Sequence, residues 1–406
     1  MEKRELYLKI WQELSSEKDM IFLVGPRQAG KTTLAHIISK NFTNKVYFNW
    51  DIPEHRVKVL ENPSFFESAP RKDRSIPLVI FDEIHKYKDW KNYLKGVYDQ
   101  YHGAYKFLVS GSGRLDIYQK GGDSLAGRYF LFHLWPFTIA ELGGRNREFD
   151  DFAQDPLNLE IRENVRLGEI WSNLLELSGF PEPYLSGKKR TYKRWSNIYS
   201  QQLIREDIRD LTGIKSVIDI ETLYLLLPTK VGSPLSIPSM ASDLRVAYNS
   251  IRNWLGVLER FFMIFTIGPW IHRIARAIQK ERKVYLWDTP RIKEPSARFE
   301  NAVALELFRA VTNWNDMGYG RWTLHFVKNK QGLEVDFLIA NENEPMLLIE
   351  AKLGQDEPSK ALKKFQQDLQ VPAVQLINQG ETFRLVPNGP YHILIAPAHQ
   401  WLCTLP

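Results

Sequence analysis

Cysteine is almost missing: the chain of 406 residues has one, Cys403. A single thiol excludes a disulfide framework and a cysteine-built zinc site, and it suits a reducing compartment. Long apolar runs are missing as well. No segment approaches the roughly 18 consecutive apolar residues of a membrane span. The opening Met1-Glu2-Lys3-Arg4-Glu5 lacks the apolar stretch of a secretory leader. There is no internal repeat and no low-complexity tract. A large excess of one charge sign is missing too. The 54 Lys and Arg stand against 48 Asp and Glu, a net +6, which points to local basic patches rather than a basic tail. Together these absences predict a cytoplasmic protein with no membrane partner. What is present is an ordinary globular composition, 44% hydrophobic and 25% charged, in a chain long enough for several compact units.

Against this plain background one stretch stands out, Gly25-Pro26-Arg27-Gln28-Ala29-Gly30-Lys31-Thr32-Thr33. It fits G-x-x-x-x-G-K-[ST], in which glycines let backbone N–H groups approach a polyphosphate, the lysine reaches the β/γ-phosphates and the hydroxyl holds Mg²⁺. The apolar run Ile21–Val24 before it predicts a buried strand. Thr33–Ile38 after it predicts a helix whose N-terminus faces the phosphates. A second apolar strand, Leu78–Phe81, ends in Asp82-Glu83. Acids at the carboxyl end of such a strand suit Mg²⁺ (Asp82) and polarisation of the attacking water (Glu83). A third, Lys106–Val109, ends at Ser110, placed to hydrogen-bond the γ-phosphate or that water. Two more strands, Lys45–Trp50 and Tyr129–Leu134, complete a strand–helix alternation. That alternation predicts an α/β fold with a parallel sheet covered on both faces. Arg128, just before the last strand, is a candidate finger for transferred phosphoryl charge, in its own subunit or a neighbour's; Arg27 is a weaker one.

Taken with Phe81-Asp82-Glu83-Ile84-His85-Lys86, Ser110-Gly111-Ser112, Leu125-Ala126-Gly127-Arg128, Ser178-Gly179-Phe180-Pro181-Glu182, Val231-Gly232-Ser233-Pro234 and Glu334-Val335-Asp336-Phe337, the chain resembles the prokaryotic AAA+ ATPases with a DUF4143 C-terminal region. His85 departs from the glutamine more usual there. The resemblance implies ATP and Mg²⁺ as cofactors, ATP hydrolysis, a helical lid after the core, and a homo-oligomer as the setting for an arginine finger. The expected divisions are an ATPase core over 1–145, a helical lid over 146–228, a winged helix-turn-helix over 229–292 and a C-terminal domain over 293–406. The polar stretch Gly143–Asp151 reads as the linker between the first two.

Within the lid, Trp171, Leu174, Leu175 and Leu177 form an apolar stripe. The basic cluster Lys188-Lys189-Arg190 and Lys193-Arg194, with Tyr192 and Trp195, reads as a solvated face, with nucleic-acid contact as the alternative. Arg205, Asp207 and Arg209 read as an ion-pair set. Next, Pro238–Leu244 and a helix capped by Asn249 have helix-turn-helix spacing, with Arg252 and Asn253 off the apolar face. A basic connection with Arg273, Arg276, Lys280 and Lys283 would suit DNA phosphates as a wing.

The C-terminal order is helix, three strands, helix, strand, with Asp336 mid-strand and Glu350-Ala351-Lys352 closing the next strand. This layout resembles the PD-(D/E)XK phosphodiesterase core. In that resemblance Asp336, Glu350 and the helical Glu300 would ligate Mg²⁺, and Lys352 would orient or activate water. Two readings follow. One is an ATP-binding and hydrolysing protein that acts on DNA with a Mg²⁺-dependent nuclease domain. The other is a nucleotide-switched DNA- or protein-binding regulator, or a defence ATPase, whose nuclease-like domain is inactive.

Overall fold

A computed structural model describes residues 4–111, 125–144, 147–158, 165–208, 217–270, 282–354, 357–378, 380 and 383–406. Chain contacts divide it into two compact units. The first is Met1–Pro136 with Arg260–Phe262, and the second is Phe137–Glu259 with Met263–Pro406.

The first unit is built on short apolar strands that cannot satisfy both faces in water. These are β1 (Met20–Val24), β2 (Lys45–Asn49), β3 (Leu78–Asp82), β4 (Lys106–Ser110) and β5 (Phe130–His133). They pair in the order β2-β3-β4-β1-β5, every pair parallel, as the alternation predicts. β1 and β3 are buried at every position, the mark of strands covered on both faces. The helices α1 (Glu5–Glu17), α2 (Lys31–Ser39), α3 (Pro53–Glu61) and α4 (Trp90–Tyr101) supply the cover. Phe22, Phe48, Phe81 and Phe107 of the sheet form one core with Trp90, Leu94 and Val97 of α4. Each buried phenylalanine contributes about 2–3 kcal/mol of transfer free energy.

The second unit begins with helices: α5 (Ile139–Gly143), α6 (Phe149–Gln154), α7 (Val165–Leu177), α8 (Pro181–Ser186), α9 (Lys189–Gln202), α10 (Val217–Leu226), α11 (Ile237–Leu244) and α12 (Tyr248–Arg260). A mixed sheet follows. Its strands are β6 (Ile264–Pro269), β7 (Lys283–Leu286), β8 (Trp322–Lys328), β9 (Glu334–Asn341), β10 (Glu344–Lys352), β11 (Ala373–Ile377), β12 (Arg384–Asn388) and β13 (Tyr391–Pro397). The order is β12-β13-β11-β10-β9-β8-β6-β7. The helices α13 (Pro295–Asp316), α14 (Lys360–Leu369) and α15 (Ala398–Leu402) complete the chain. The two strands that flank the basic connection, β6 and β7, lie in this sheet. β6 pairs antiparallel with β7 and parallel with β8, because β7 is buried throughout and its backbone polar groups need a partner. Among the described residues no helix is long and apolar enough to cross a membrane.

One buried acid in this unit has a measurable consequence. Glu306 of α13 is 4% exposed, and its Oε1 accepts from the Ile139 N–H at 2.8 Å. Burial pushes its pKa up to about 7, against the opposing pull of Arg309. The folded pKa lies above the unfolded one, so the stability this group contributes is complete below about pH 4.5 and lost as pH climbs towards 7. Glu306→Gln keeps the acceptor and removes the charge. It is expected to raise stability at about pH 8 by on the order of 2 kcal/mol and to leave it nearly unchanged at about pH 4.5. Thermal melts at both pH values check this.

Candidate nucleotide site

Parallel register assembles the site. Asn49 pairs with Asp82, Asp82 with Ser110 and Leu23 with Ser110. The carboxyl ends of β2, β3 and β4 therefore stand level beside the turn that leaves β1, the place where open α/β sheets receive ligands. The turn runs from Gly25 (φ +147°) through Gln28 (φ +61°) to Gly30 (φ +100°) and into α2.

Gly25 is a point of close approach. A Cβ there would stand 2.2 Å from the Leu134 carbonyl oxygen, just beyond β5. Gly25→Ala is expected to destabilise the first unit by roughly 3 kcal/mol through collision and a disfavoured φ. Gly96→Ala in α4, where nothing lies within 4 Å, is expected to be neutral or slightly stabilising. Thermal melts of the pair test the contrast.

Lys31 is buried, and its Nζ donates to the carbonyls of Gly25 (3.0 Å) and Pro26 (2.7 Å). Burial pulls its pKa down to about 8, only partly offset by the charges of Glu83 and Asp82. A buried cation whose hydrogen bonds go to neutral carbonyls is poised for an anion. Thr32 Oγ1 donates to Asp82 Oδ2 at 2.8 Å. The same carboxylate accepts from Tyr47 OH at 2.9 Å and from Ser110 Oγ. The wholly buried Ser110 therefore braces Asp82. Thr32 and Asp82 offer hard oxygens side by side, the donor set Mg²⁺ takes next to a phosphate.

Glu83 sits in the left-handed region (φ +56°), with its N–H donating to Ser110 O at 2.9 Å. Strain of this kind in a bulky residue clusters at functional sites. Burial pushes its carboxyl up, while Lys86 and Lys31 oppose the shift. Lys86 Nζ lies 3.2 Å from Glu83 and 2.7 Å from Asp51, and His85 Nε2 lies 3.7 Å from Glu83. Thr33 is exposed and Arg27 half-buried.

Sequence reasoning missed three contributors: Tyr47, Lys86 and Arg4. The Arg4 guanidinium donates to Ala29 O in the loop (2.9 Å) and to Trp135 O (2.5 Å). Lys86 carried a readable signal, three residues beyond Glu83 on a short turn.

Arg128 stands elsewhere. Phe130 pairs with Ile21, so Arg128 lies level with the start of β1, and it pairs with Asp99 at 2.7 Å. At about 3.3 Å rise per residue, Gly25 is roughly 20 Å away along the strand. That corrects one of its two expected roles: it cannot serve a nucleotide in its own subunit.

The remaining predicted residues fall in the second unit. Arg252 and Asn253 are exposed neighbours on α12, which follows α11 across a turn that holds Arg245 at φ +54°. Lys283 is not a surface contact. It is wholly buried, with its amine 3.1 Å from Glu300, 2.8 Å from Glu334 and 3.6 Å from Asp336. Arg273, Arg276, Lys280, Ser112 and Arg209, and the side chain of Asp207, lie outside the described residues. Glu350 meets Lys352 at 2.8 Å and accepts from Ser359 Oγ. Asp336 Oδ2 accepts from the Ala351 N–H at 3.0 Å. Burial works to lower the Lys352 pKa, but Asp336, Glu350 and Glu300 outweigh it and raise it. Among the described residues, no group of three or more His, Cys, Asp or Glu is arranged to hold a metal.

Residues 17–143 match the family model described as an AAA domain. The chain carries an AAA domain. This domain contains the whole loop and strand-end constellation above. Residues 168–290 match a domain of unknown function, DUF8612, and residues 296–393 match another, DUF4143. Similar proteins include the uncharacterized protein Rv2008c of Mycobacterium tuberculosis, 23% identical over 95% of this chain and 81% of that one. Another is the uncharacterized protein MJ1544 of Methanocaldococcus jannaschii, 22% identical over 94% and 88%. Similar solved structures include a Walker-type ATPase of Pyrococcus abyssi (16% identity, TM-score 0.45, covering 72% of this chain and 95% of that one). The Aeropyrum pernix Orc1 protein in complex with DNA is also similar (12%, TM-score 0.33, 76% and 92%).

Proposed function

We propose that the AAA domain binds and hydrolyses ATP, and that its nucleotide state switches a DNA-contacting second unit. The observation that carries the first half is the meeting of Lys31, Thr32, Asp82 and Glu83 at the strand ends beside the loop. The loop amides and Lys31 bind the phosphates. Thr32 and Asp82 hold Mg²⁺, which when bound supplies charge neutralisation to the phosphoryl oxygens. Tyr47 and Ser110 keep the Asp82 carboxylate in one orientation. Glu83 accepts the proton of the attacking water, and Ser110 relays occupancy of the site to Asp82 and, through its carbonyl, to the Glu83 N–H.

Arg128 acts in trans, on the nucleotide of a second copy, within a homo-oligomer. Its distance from its own loop and its exposed pairing with Asp99 support this. DNA is contacted by Arg252 and Asn253 of α12, with the basic stretch of Arg273, Arg276 and Lys280 adding phosphate contacts. The burial of Lys283 among acids favours the regulator reading over the nuclease reading.

Equilibrium dialysis with radiolabelled ATP and Mg²⁺ tests the foundation; no retained nucleotide would overturn it. For the DNA half, Arg252→Glu with Asn253→Asp is expected to weaken binding of a labelled duplex at least tenfold in anisotropy titrations. Unchanged affinity would remove α12 from the interface.

A further inference from the structure

We infer that Lys283 occupies the place a divalent cation takes in a phosphodiesterase centre, so that the acidic cluster of the C-terminal sheet is closed by the chain's own ammonium and holds no hydrolytic metal. The nuclease resemblance requires carboxylate oxygens free to converge on one hard cation. Here those oxygens are committed. The Lys283 ammonium has three hydrogens and three carboxylates around it, Glu300 at 3.1 Å, Glu334 at 2.8 Å and Asp336 at 3.6 Å. Glu300 Oε1 also accepts from Tyr285 OH at 2.9 Å. The second oxygen of Asp336 takes the Ala351 N–H at 3.0 Å, and Glu350 is shared by Lys352 and Ser359.

Charge arithmetic agrees. Lys283, Lys352 and Lys328, the last 2.8 Å from Glu334, set three positive charges against the four acids Glu300, Glu334, Asp336 and Glu350. A metal dication beside a buried ammonium would be repelled by it, and the ammonium has nowhere to withdraw. Lys283 is 0% exposed, at the head of a fully buried strand, with its amine 5.6 Å from the Phe326 ring centroid. Removing the lysine would leave adjacent carboxylates uncompensated in a buried site, which is what a divalent cation needs.

The test counts bound Mn²⁺ by electron paramagnetic resonance on the nucleotide-free full chain. The parent and Asp336→Asn, which keeps an acceptor for Ala351, are expected to give the same titration. Lys283→Met is expected to gain about one Mn²⁺ per chain and a Mn²⁺-dependent rise in melting temperature; adding Asp336→Asn should abolish both. A parent Mn²⁺ that Asp336→Asn removes would overturn the inference, and so would a folded Lys283→Met that gains none. Should Lys283→Met fail to fold, the parent and Asp336→Asn comparison decides alone: equal titrations support the inference and unequal ones overturn it. Any ion at the AAA site contributes equally to every variant. Failure of the ATPase reading would therefore leave this result unmoved.

Discussion

Glu83→Gln is expected to bind ATP about as well as the parent and to hydrolyse it roughly 10²–10⁴ times more slowly. The substitution preserves size and a hydrogen-bonding oxygen and removes the proton acceptor. Burial raises the Glu83 carboxyl, and Lys86 at 3.2 Å opposes that rise. A companion variant separates chemistry from structure. Lys86→Met leaves Glu83 in place but removes the largest influence opposing that rise. The base must be deprotonated to act, so the acid limb of the pH–rate profile is expected to move to higher pH. Phosphate release at saturating ATP, followed across pH for the three proteins, gives both results. Equal turnover in Glu83→Gln and parent would remove the assigned base.

How far these residues could be read before the structure depended on how local their reason was. Lys31 and Thr32 were legible because one segment carries strand, loop and helix, and the loop's chemistry needs those residues at that spacing. Asp82 and Glu83 were legible because they close an apolar strand, and the carboxyl end of such a strand is where a phosphate loop needs its acids. Tyr47 was not. Its role exists only because β2 pairs with β3 in a register that sets Asn49 against Asp82, and that register is a tertiary fact. Arg4 was hidden for the same reason, since its partners Ala29 and Trp135 are remote in sequence. Lys283 was misread through its neighbourhood. It closes a basic run, but it also opens a strand buried at every position. A lysine at the head of such a strand must bring its charge to acids, and here they come from α13 and β9. That β6 also pairs with β8 was not legible, because strand pairing partners are not written in either strand alone.

Lys31→Ala is expected to weaken ATP binding by about 100-fold or more, the loss of one or two charge-assisted bonds to phosphate at roughly 1.5–3 kcal/mol each. The structure adds a second cost. Lys31 ties the carbonyls of Gly25 and Pro26 together, so the variant loses the loop's brace along with its cation. The pH dependence distinguishes the two effects. With its pKa pulled down to about 8 by burial, Lys31 loses its proton, before ATP binds, as pH rises above that value. ATP binding must then draw a proton back, and the parent's affinity is expected to fall by up to about tenfold per pH unit. Lys31→Ala, already weak, should show no such slope. Stability of the nucleotide-free parent moves the opposite way. The unfolded lysine keeps its proton up to its ordinary 10.5, so the unfolded state binds more protons across the window from about 8 to 10.5 and stability rises with pH there. Calorimetric titration of parent and variant with ATP at about pH 7 and about pH 9, with melts at the same values, measures both trends. A parent affinity that is flat across this range would show that Lys31 keeps its proton in the empty loop and is not the strained cation its burial implies.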